Sequence, residues 1–208
     1  MTDYNRFAST FAASRQSLVW PEIDYILALS SFQNPPLSVL DVGCGSGRFL
    51  TFLEKKNTHF SYLGIDASSA MIEESKKAHP HRNFLVCDMQ DIETMDSQFD
   101  CIVFLASFHH LKNYEERLDV LKKTKKILAP GGIVAMTNWN LLGTELFPKY
   151  EKSHRWNGEF DIKIGAHARY YHGFTTEELG GLFTETGYDI LENRVFTGGK
   201  NILSILGS

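Results

Sequence analysis

No stretch of the 208-residue chain approaches the roughly 18 continuous apolar residues that a membrane-spanning helix needs. The first residues, Met1 to Arg6, lack the apolar run of a signal peptide, so no export is expected. Cysteine is scarce: Cys44, Cys87 and Cys101 are widely spaced and form no Cys-x-x-Cys pair. That pattern points to reduced, mostly buried thiols and fits a cytoplasmic protein. Positive charge is not in excess either. With 21 Lys and Arg against 25 Asp and Glu, the net charge is −4, which excludes a global basic field for nucleic acid and leaves only a local patch open. There is no internal repeat and no low-complexity segment. What is present is apolar mass: 43% hydrophobic residues, with 15 Phe and 8 Tyr. That suffices for one sizeable core, and residues 1–208 are read as a single domain.

Val39 to Gly47 reads Val-Leu-Asp-Val-Gly-Cys-Gly-Ser-Gly, a short apolar strand running into glycines at every second position. Such a turn lets backbone pass close under a bulky ligand, because side chains are missing where the approach is tightest. A dinucleotide-binding Gly-x-Gly-x-x-Gly would place its third glycine at 48, and that position is Arg48. The spacing argues against NAD.

Strand and helix patterns then alternate. Strands are expected at Ser38–Val42, Phe60–Ile65, Asn83–Cys87, Phe99–Leu105 and Ile133–Asn138. The helices between them are expected at Arg48–Lys55, Ala70–Ala78 and Tyr114–Leu128, the last stopped by Pro130-Gly131-Gly132. Phe99–Leu105 is almost wholly apolar, as a strand buried on both faces should be. The alternation implies an α/β, doubly wound, Rossmann-like sheet that is mostly parallel. Two closing strands at Tyr188–Phe196 and Asn201–Leu206, after a helix over Thr175–Gly187, complete seven strands with a C-terminal antiparallel hairpin. Residues 1–34 read as an N-terminal helical cover. Residues 140–168 show no clean period and are read as an insertion over the carboxyl edge, within a lid spanning 140–172.

Asp66 ends the second strand, nineteen residues beyond Gly47, where a carboxylate can accept hydrogen bonds from ribose hydroxyls. The glycine turn, with Asp41 just inside it, resembles the first motif of the class I S-adenosylmethionine (SAM) methyltransferases. The stretch 99–111 resembles their fourth motif, and Leu128-Ala129-Pro130-Gly131-Gly132 the turn before their fifth strand. The resemblance implies SAM as cofactor and a site built from Asp41, Gly43, Cys44, Gly45, Gly47, Asp66, Ala67, Asp88, Met89 and Leu105. Asp88 would meet the adenine amino group and the next backbone amide a ring nitrogen. No metal is implied, and His79-Pro80-His81 is too short a cluster for one and reads as an exposed loop.

The flanks resemble one narrower family. Tyr4-x-x-Phe7-Ala8-x-x-Phe11-x-x-Ser14-Arg15-x-x-x-x-Trp20-Pro21, Ala106-x-x-His109-His110-Leu111 and Arg169-Tyr170-Tyr171-His172-Gly173-Phe174 look like the tRNA wobble-uridine carboxymethyl (5-carboxymethyluridine) methyltransferases. That resemblance implies methylation of a carboxylate in the tRNA anticodon, and for the eukaryotic members a small zinc-binding activator protein. An Arg fork suits a carboxylate or phosphate. Arg15 and Arg169 are therefore the candidate acceptor-holding groups, with Tyr170 and His172 shaping the pocket and His109 near the methyl. Plainer readings stand beside these. Arg15 could hold the SAM carboxylate, Arg169 a surface ion pair, the tyrosines lid packing, and the histidines backbone. Lys122, Lys123, Lys125 and Lys126 are a solvated face or a phosphate contact. Two other functions share the scaffold: a small-molecule O- or N-methyltransferase acting on a small carboxylic acid, and a SAM-binding subunit without chemistry.

Overall fold

Phe99–Leu105 forms the strand about which the two layers of the molecule are organised. Ile102 and Phe104 point into one apolar cluster, while Cys101 and Val103 point into the other, so both faces are covered. The structure, a computed structural model, describes residues 20–29, 37–56, 59–95, 97–164 and 167–208. Its strands are β1 (Leu37–Val42), β2 (Phe60–Asp66), β3 (Asn83–Val86), β4 (Phe99–Leu105), β5 (Leu128–Trp139), β6 (Glu159–Ile164), β7 (His167–His172), β8 (Asp189–Val195) and β9 (Asn201–Gly207). Its helices are α1 (Pro21–Leu27), α2 (Arg48–Lys56), α3 (Ser69–Ala78), α4 (Tyr114–Lys126), α5 (Phe147–Tyr150) and α6 (Thr176–Glu185).

The main sheet has seven strands in the order β3-β2-β1-β4-β5-β9-β8. β1 to β5 are parallel, and β9 runs antiparallel to both β5 and β8. This is the expected doubly wound sheet with its closing hairpin. Chain order reverses between β1 and β4, which opens a crevice at their carboxyl ends. Side chains of α1, α2 and α3 cover one face, and those of α4 and α6 the other. Pro21 begins α1, where a missing N–H costs nothing. The rest of the expected N-terminal cover, Arg15 included, lies outside the described residues. Among the described residues, no helix is long and apolar enough to cross a membrane.

Three expectations change. The Pro130-Gly131-Gly132 run does not stop α4, which ends at Lys126. Leu128 already pairs with Phe99, and the register then jumps to Cys101↔Ile133. The glycines lie in this bulge, Gly131 with φ of 74°, and a Cβ on Gly132 would come within 2.9 Å of Asp100 O. The 140–168 segment, in which the sequence shows no clean period, contains α5 and enters an antiparallel β6–β7 hairpin. In it Phe160 and Ile162 turn inward onto Leu141 and Tyr171, while Lys163 stays out. Finally, His79 is not an exposed loop residue. Its side chain is 8% exposed, with Nδ1 at 3.0 Å from Glu54 and Nε2 at 3.2 Å from Thr51 Oγ1.

Phe104 is fully buried at the centre of the larger cluster, beside Phe108 at 5.8 Å. Phe104→Ala is expected to cost about 3–5 kcal/mol of unfolding free energy, read as a lowered urea midpoint.

Candidate active site

The crevice begins where β1 turns out of the sheet. Gly43 and Cys44 donate their N–H groups to Ile65 O at 2.8 and 2.9 Å, so the turn leans on the end of β2. Gly43 has φ of 73°, and a Cβ there would lie 2.5 Å from Ser107 Cβ. Ser107 Oγ donates to Val42 O at 2.6 Å, and Ser75 Oγ, from α3, donates to Gly45 O at 2.6 Å. The chain reaches Ser107 through Ala106, a non-glycine residue with φ of 54°, whose N–H donates to Thr137 O and Thr137 Oγ1 at 2.9 and 3.1 Å. Gly47 stands apart from the crevice wall. A Cβ on it would meet the His79 ring at 2.9 Å, so its smallness serves the packing of the turn against α3.

A cavity of about 790 Å³ opens at this edge. Asp41, Gly43, Cys44, Gly45, Asp66, Ala67, Asp88, Met89 and Leu105 line one half of it. Asp66 accepts from Gly45 N and Ser68 N at 3.0 and 2.9 Å, which aims its carboxylate from the end of β2. Asp88 caps the following turn by accepting from Gln90 N at 3.0 Å. Asp41 is 1% exposed and accepts from the buried Tyr62 hydroxyl at 2.8 Å. Burial pushes the Asp41 carboxyl up to about 7 despite the Tyr62 hydrogen bond, and Asp66 nearby adds to the rise. Burial also raises Asp66, against the pull of its two backbone donors.

The other half is lined by His109, His110, Trp139, Arg169, Tyr170 and Tyr171, together with Lys112, Glu116 and Asp161. Arg169 is 1% exposed, an unusual position for a guanidinium, and is not the surface ion pair that stood as its plain reading. His109 is fully buried against Tyr171 and Trp139, at ring distances of 5.1 and 5.9 Å. Its Nδ1 accepts from Trp139 N at 3.2 Å, so the ring proton resides on Nε2. Among the described residues nothing hydrogen-bonds that Nε2. Burial, then the neighbouring His110 and His172, push the His109 pKa well below its usual value, and burial brings His110 down to about 4. Both imidazoles are neutral at physiological pH.

His172 is not brought to the cavity. Its Nε2 is 2.8 and 3.0 Å from the two Glu178 oxygens, and its ring packs on Phe174 at 4.6 Å. Tyr170 lines the cavity but spends its hydroxyl on Lys112 O at 2.8 Å. The lysine run on α4 is largely tied into the fold. Lys123 reaches Gln90 O at 2.6 Å and Asp119 at 2.8 Å, Lys126 pairs with Glu93 at 3.5 Å, and Lys125 donates to Gly187 O. Sequence reasoning missed Tyr62, Ser75 and Ser107, which hold the turn, and Trp139 and Arg48, which line the cavity. Trp139 could have been found, because it ends β5 and strand carboxyl ends bound the crevice.

The fold and the crevice define a methyltransferase domain of the SAM-dependent class. A family model described as "Methyltransferase domain" matches residues 10–193, and the chain belongs to that family. It is 31% identical to the mouse "Probable tRNA methyltransferase 9B", over 60% of this chain and 26% of that protein. It is 30% identical to the Saccharomyces cerevisiae tRNA (carboxymethyluridine(34)-5-O)-methyltransferase, over 66% of this chain and 47% of the relative. The chain thus spans less than half the length of these relatives. The SAM-bound structure of CalS10, an amino pentose methyltransferase from Micromonospora echinaspora, superposes with a TM-score of 0.69 at 18% identity, covering 96% of each chain. At that identity the likeness is one of fold.

The residues present fit the cofactor of this class. Carboxylates at the ends of β1, β2 and β3 suit a diol, an amine and a cation, and Leu105 and Met89 offer apolar surface beside them. Two outcomes follow. Gly43→Ala forces both a left-handed alanine and a 2.5 Å approach to Ser107, and is expected to weaken SAM binding at least tenfold by calorimetry. Between about pH 4 and pH 7 the folded protein retains a proton on Asp41 that the unfolded chain releases. Unfolding free energy should therefore fall as pH rises through that window, with Asp66 adding to the slope. Asp41→Asn should flatten it in urea titrations across the window, and an unchanged slope would sink the assignment.

Proposed function

We propose that the chain methylates the carboxylate of 5-carboxymethyluridine in a tRNA anticodon, producing a methyl ester. One observation carries the reading: a guanidinium, Arg169, is buried in the same cavity as the cofactor-side carboxylates, beside two neutral imidazoles. A buried cation on the acceptor side calls for an anionic acceptor. The activity for which the yeast relative is named supports the same choice.

When bound, SAM supplies an electrophilic methyl group carried on a sulfonium. In this reading Asp66 would accept from the ribose hydroxyls, Asp88 and the Met89 amide would meet the adenine, and Asp41 with Gly43, Cys44 and Gly45 would receive the amino-acid end. A carboxylate acceptor is ionised at neutral pH and requires no general base. The geometry around His109 agrees with this. Its Nδ1 lone pair is committed to Trp139 N–H, so Nε2–H can donate to an acceptor oxygen but cannot remove a proton. Arg169 orients the carboxylate by charge and leaves the attacking oxygen free. Tyr171 stacks on Trp139 at 5.1 Å and closes that wall, excluding water from the reacting groups. We read 140–172 as the lid and 1–34 as the cover of one domain spanning 1–208, and keep Arg15 as a candidate for either the acceptor or the SAM carboxylate. The free thiols Cys44, Cys87 and Cys101 support a cytoplasmic setting. A small activator protein would add basic surface to a chain whose net charge is −4.

The second reading, a small carboxylic acid as acceptor, draws on the α4 lysines, which are engaged within the fold instead of forming a free basic stripe. Incubation with methyl-labelled SAM and tRNA carrying 5-carboxymethyluridine, followed by mass spectrometry of the nucleosides, separates the two. A base-labile methyl ester on uridine is expected. Label confined to a small-molecule fraction would overturn the tRNA reading. Arg169→Gln should lower acceptor kcat/KM by about 30- to 150-fold, the equivalent of about 2–3 kcal/mol for a charge-assisted contact, and leave SAM affinity within a factor of about three.

A further inference from the structure

The Arg169-Tyr170-Tyr171-His172 run lies on strand β7, where alternate side chains face opposite ways. Tyr171 packs on His109 and Trp139 in the cavity wall, and Arg169, two residues away, shares its face. Tyr170 and His172 belong to the other face, and both lead to the same buried guanidinium. Arg117, on α4, is 4% exposed and lies outside the cavity wall. Its Nη2 donates to Tyr170 Oη at 3.4 Å, to Leu111 O at 3.2 Å and to Lys112 O at 3.1 Å. Its Nε donates to Leu111 O at 3.3 Å, and Nη1 pairs with Glu178 Oε1 at 3.4 Å. Glu178 in turn holds His172, and the guanidinium lies 5.2 Å from the centre of the Phe174 ring.

We propose that Arg117 is the positioning residue of the acceptor half: it clamps the loop after His109 and His110, the lid strand β7 and the start of α6 to one another, and so sets where Arg169 and His109 stand. The inference rests on the acceptor-side reading of Arg169 and His109. The clamp closes through a second path. His110 Nδ1 is 3.0 Å from Tyr170 O, and the Tyr170 hydroxyl donates to Lys112 O at 2.8 Å. Tyr170 is thereby tied to the histidine loop at two points, through its backbone carbonyl and its hydroxyl, and Arg169 is its immediate neighbour. Three nitrogens of one planar group reach three chain segments here, and a lysine ammonium cannot span them. Arg169 is carried on a two-stranded hairpin outside the main sheet, so its placement depends on such ties. Misplacement of a catalytic group by about 1 Å costs on the order of 100-fold in rate.

The division explains why a site-like run contains members that never reach the reacting groups. On this reading Arg169 acts on the acceptor, whereas Tyr170 and His172 are handles by which Arg117 and Glu178 hold the strand.

The test compares Arg117→Lys with Val120→Ala, a core truncation on the same helix that loses stability without touching the clamp. Hydrogen exchange of the SAM-bound protein, without acceptor, should be at least tenfold faster over residues 108–112 and 168–172 in Arg117→Lys, and unchanged over 41–47. In steady-state assays on tRNA carrying 5-carboxymethyluridine, acceptor kcat should fall about tenfold or more with SAM affinity unchanged. Combining Arg117→Lys with Tyr170→Phe should add little to either single loss. Val120→Ala should lower stability and leave kcat intact. Wild-type-like exchange in Arg117→Lys, loosening that extends equally to 41–47, or a matching kcat loss in Val120→Ala would overturn the proposal. Exchange needs no acceptor, so a wild-type protein that fails to methylate tRNA defeats the proposed function and leaves this inference to be decided by the exchange data.

Discussion

The hydroxyls of Ser107 and Ser75 hold the backbone that the rest of the site depends on. One donates to Val42 O and the other to Gly45 O, each at 2.6 Å, and between them Gly45 N–H reaches Asp66 at 3.0 Å. A glycine-rich turn is entropically costly to order, and unsupported it would sample many conformations. Here α3, β2 and the loop after β4 each contribute a polar contact to it. The result is a rigid floor from which Asp41 and Asp66 project, and the left-handed Ala106 is the bend that brings Ser107 under Gly43.

The cavity above that floor is electrostatically divided. Its cofactor half carries carboxylates, two of them with raised pKa because water has been removed from around them. The half that we assign to the acceptor carries a buried guanidinium and imidazoles kept neutral by burial, with Lys112, Glu116 and Asp161 also in its lining. This arrangement suits the meeting of a cationic donor with an anionic acceptor, since each partner would relieve the desolvation of the group facing it. Two neutral histidines also add no positive charge that would repel a sulfonium. The acceptor half is carried on β7 and on the loop after β4, elements outside the regular ladder of the main sheet, and it depends on side-chain ties where the cofactor half depends on backbone ones.

Local signals in the chain were legible to different depths. The glycines at 43 and 45 and the acids at 41, 66 and 88 occupy strand ends, and strand ends can be found from apolar runs and turn residues alone. Gly47 looked equivalent to its neighbours, yet it serves packing against His79, a residue more than thirty positions away. Pro130-Gly131-Gly132 carried the composition of a helix stop, but the competing pairing of Leu128 with Phe99 turned it into a bulge within β5. The β6–β7 hairpin was obscured because only Phe160 and Ile162 mark its inner face, among charged and aromatic residues that break the alternation. The α4 lysines read as free charge, since, apart from Asp119 on the same helix, the groups that engage Lys123, Lys125 and Lys126 come from the β3–β4 connection and the turn after α6, distant in sequence.

By itself the sequence determined the doubly wound sheet and the glycine turn, because hydrophobic period and turn chemistry are properties of adjacent residues, and the resemblance of that turn and its neighbouring acids to a known family supplied the class of cofactor. Tertiary structure alone decided the protonation of Asp41 and His109, the burial of Arg169, and the split of one four-residue run between cavity and clamp. Those outcomes depend on which groups are deprived of water and which segments meet: Asp41 with Tyr62, His109 with Trp139, and Arg117 with Tyr170 and Glu178. Contacts between residues so far apart in the chain leave no local pattern to read.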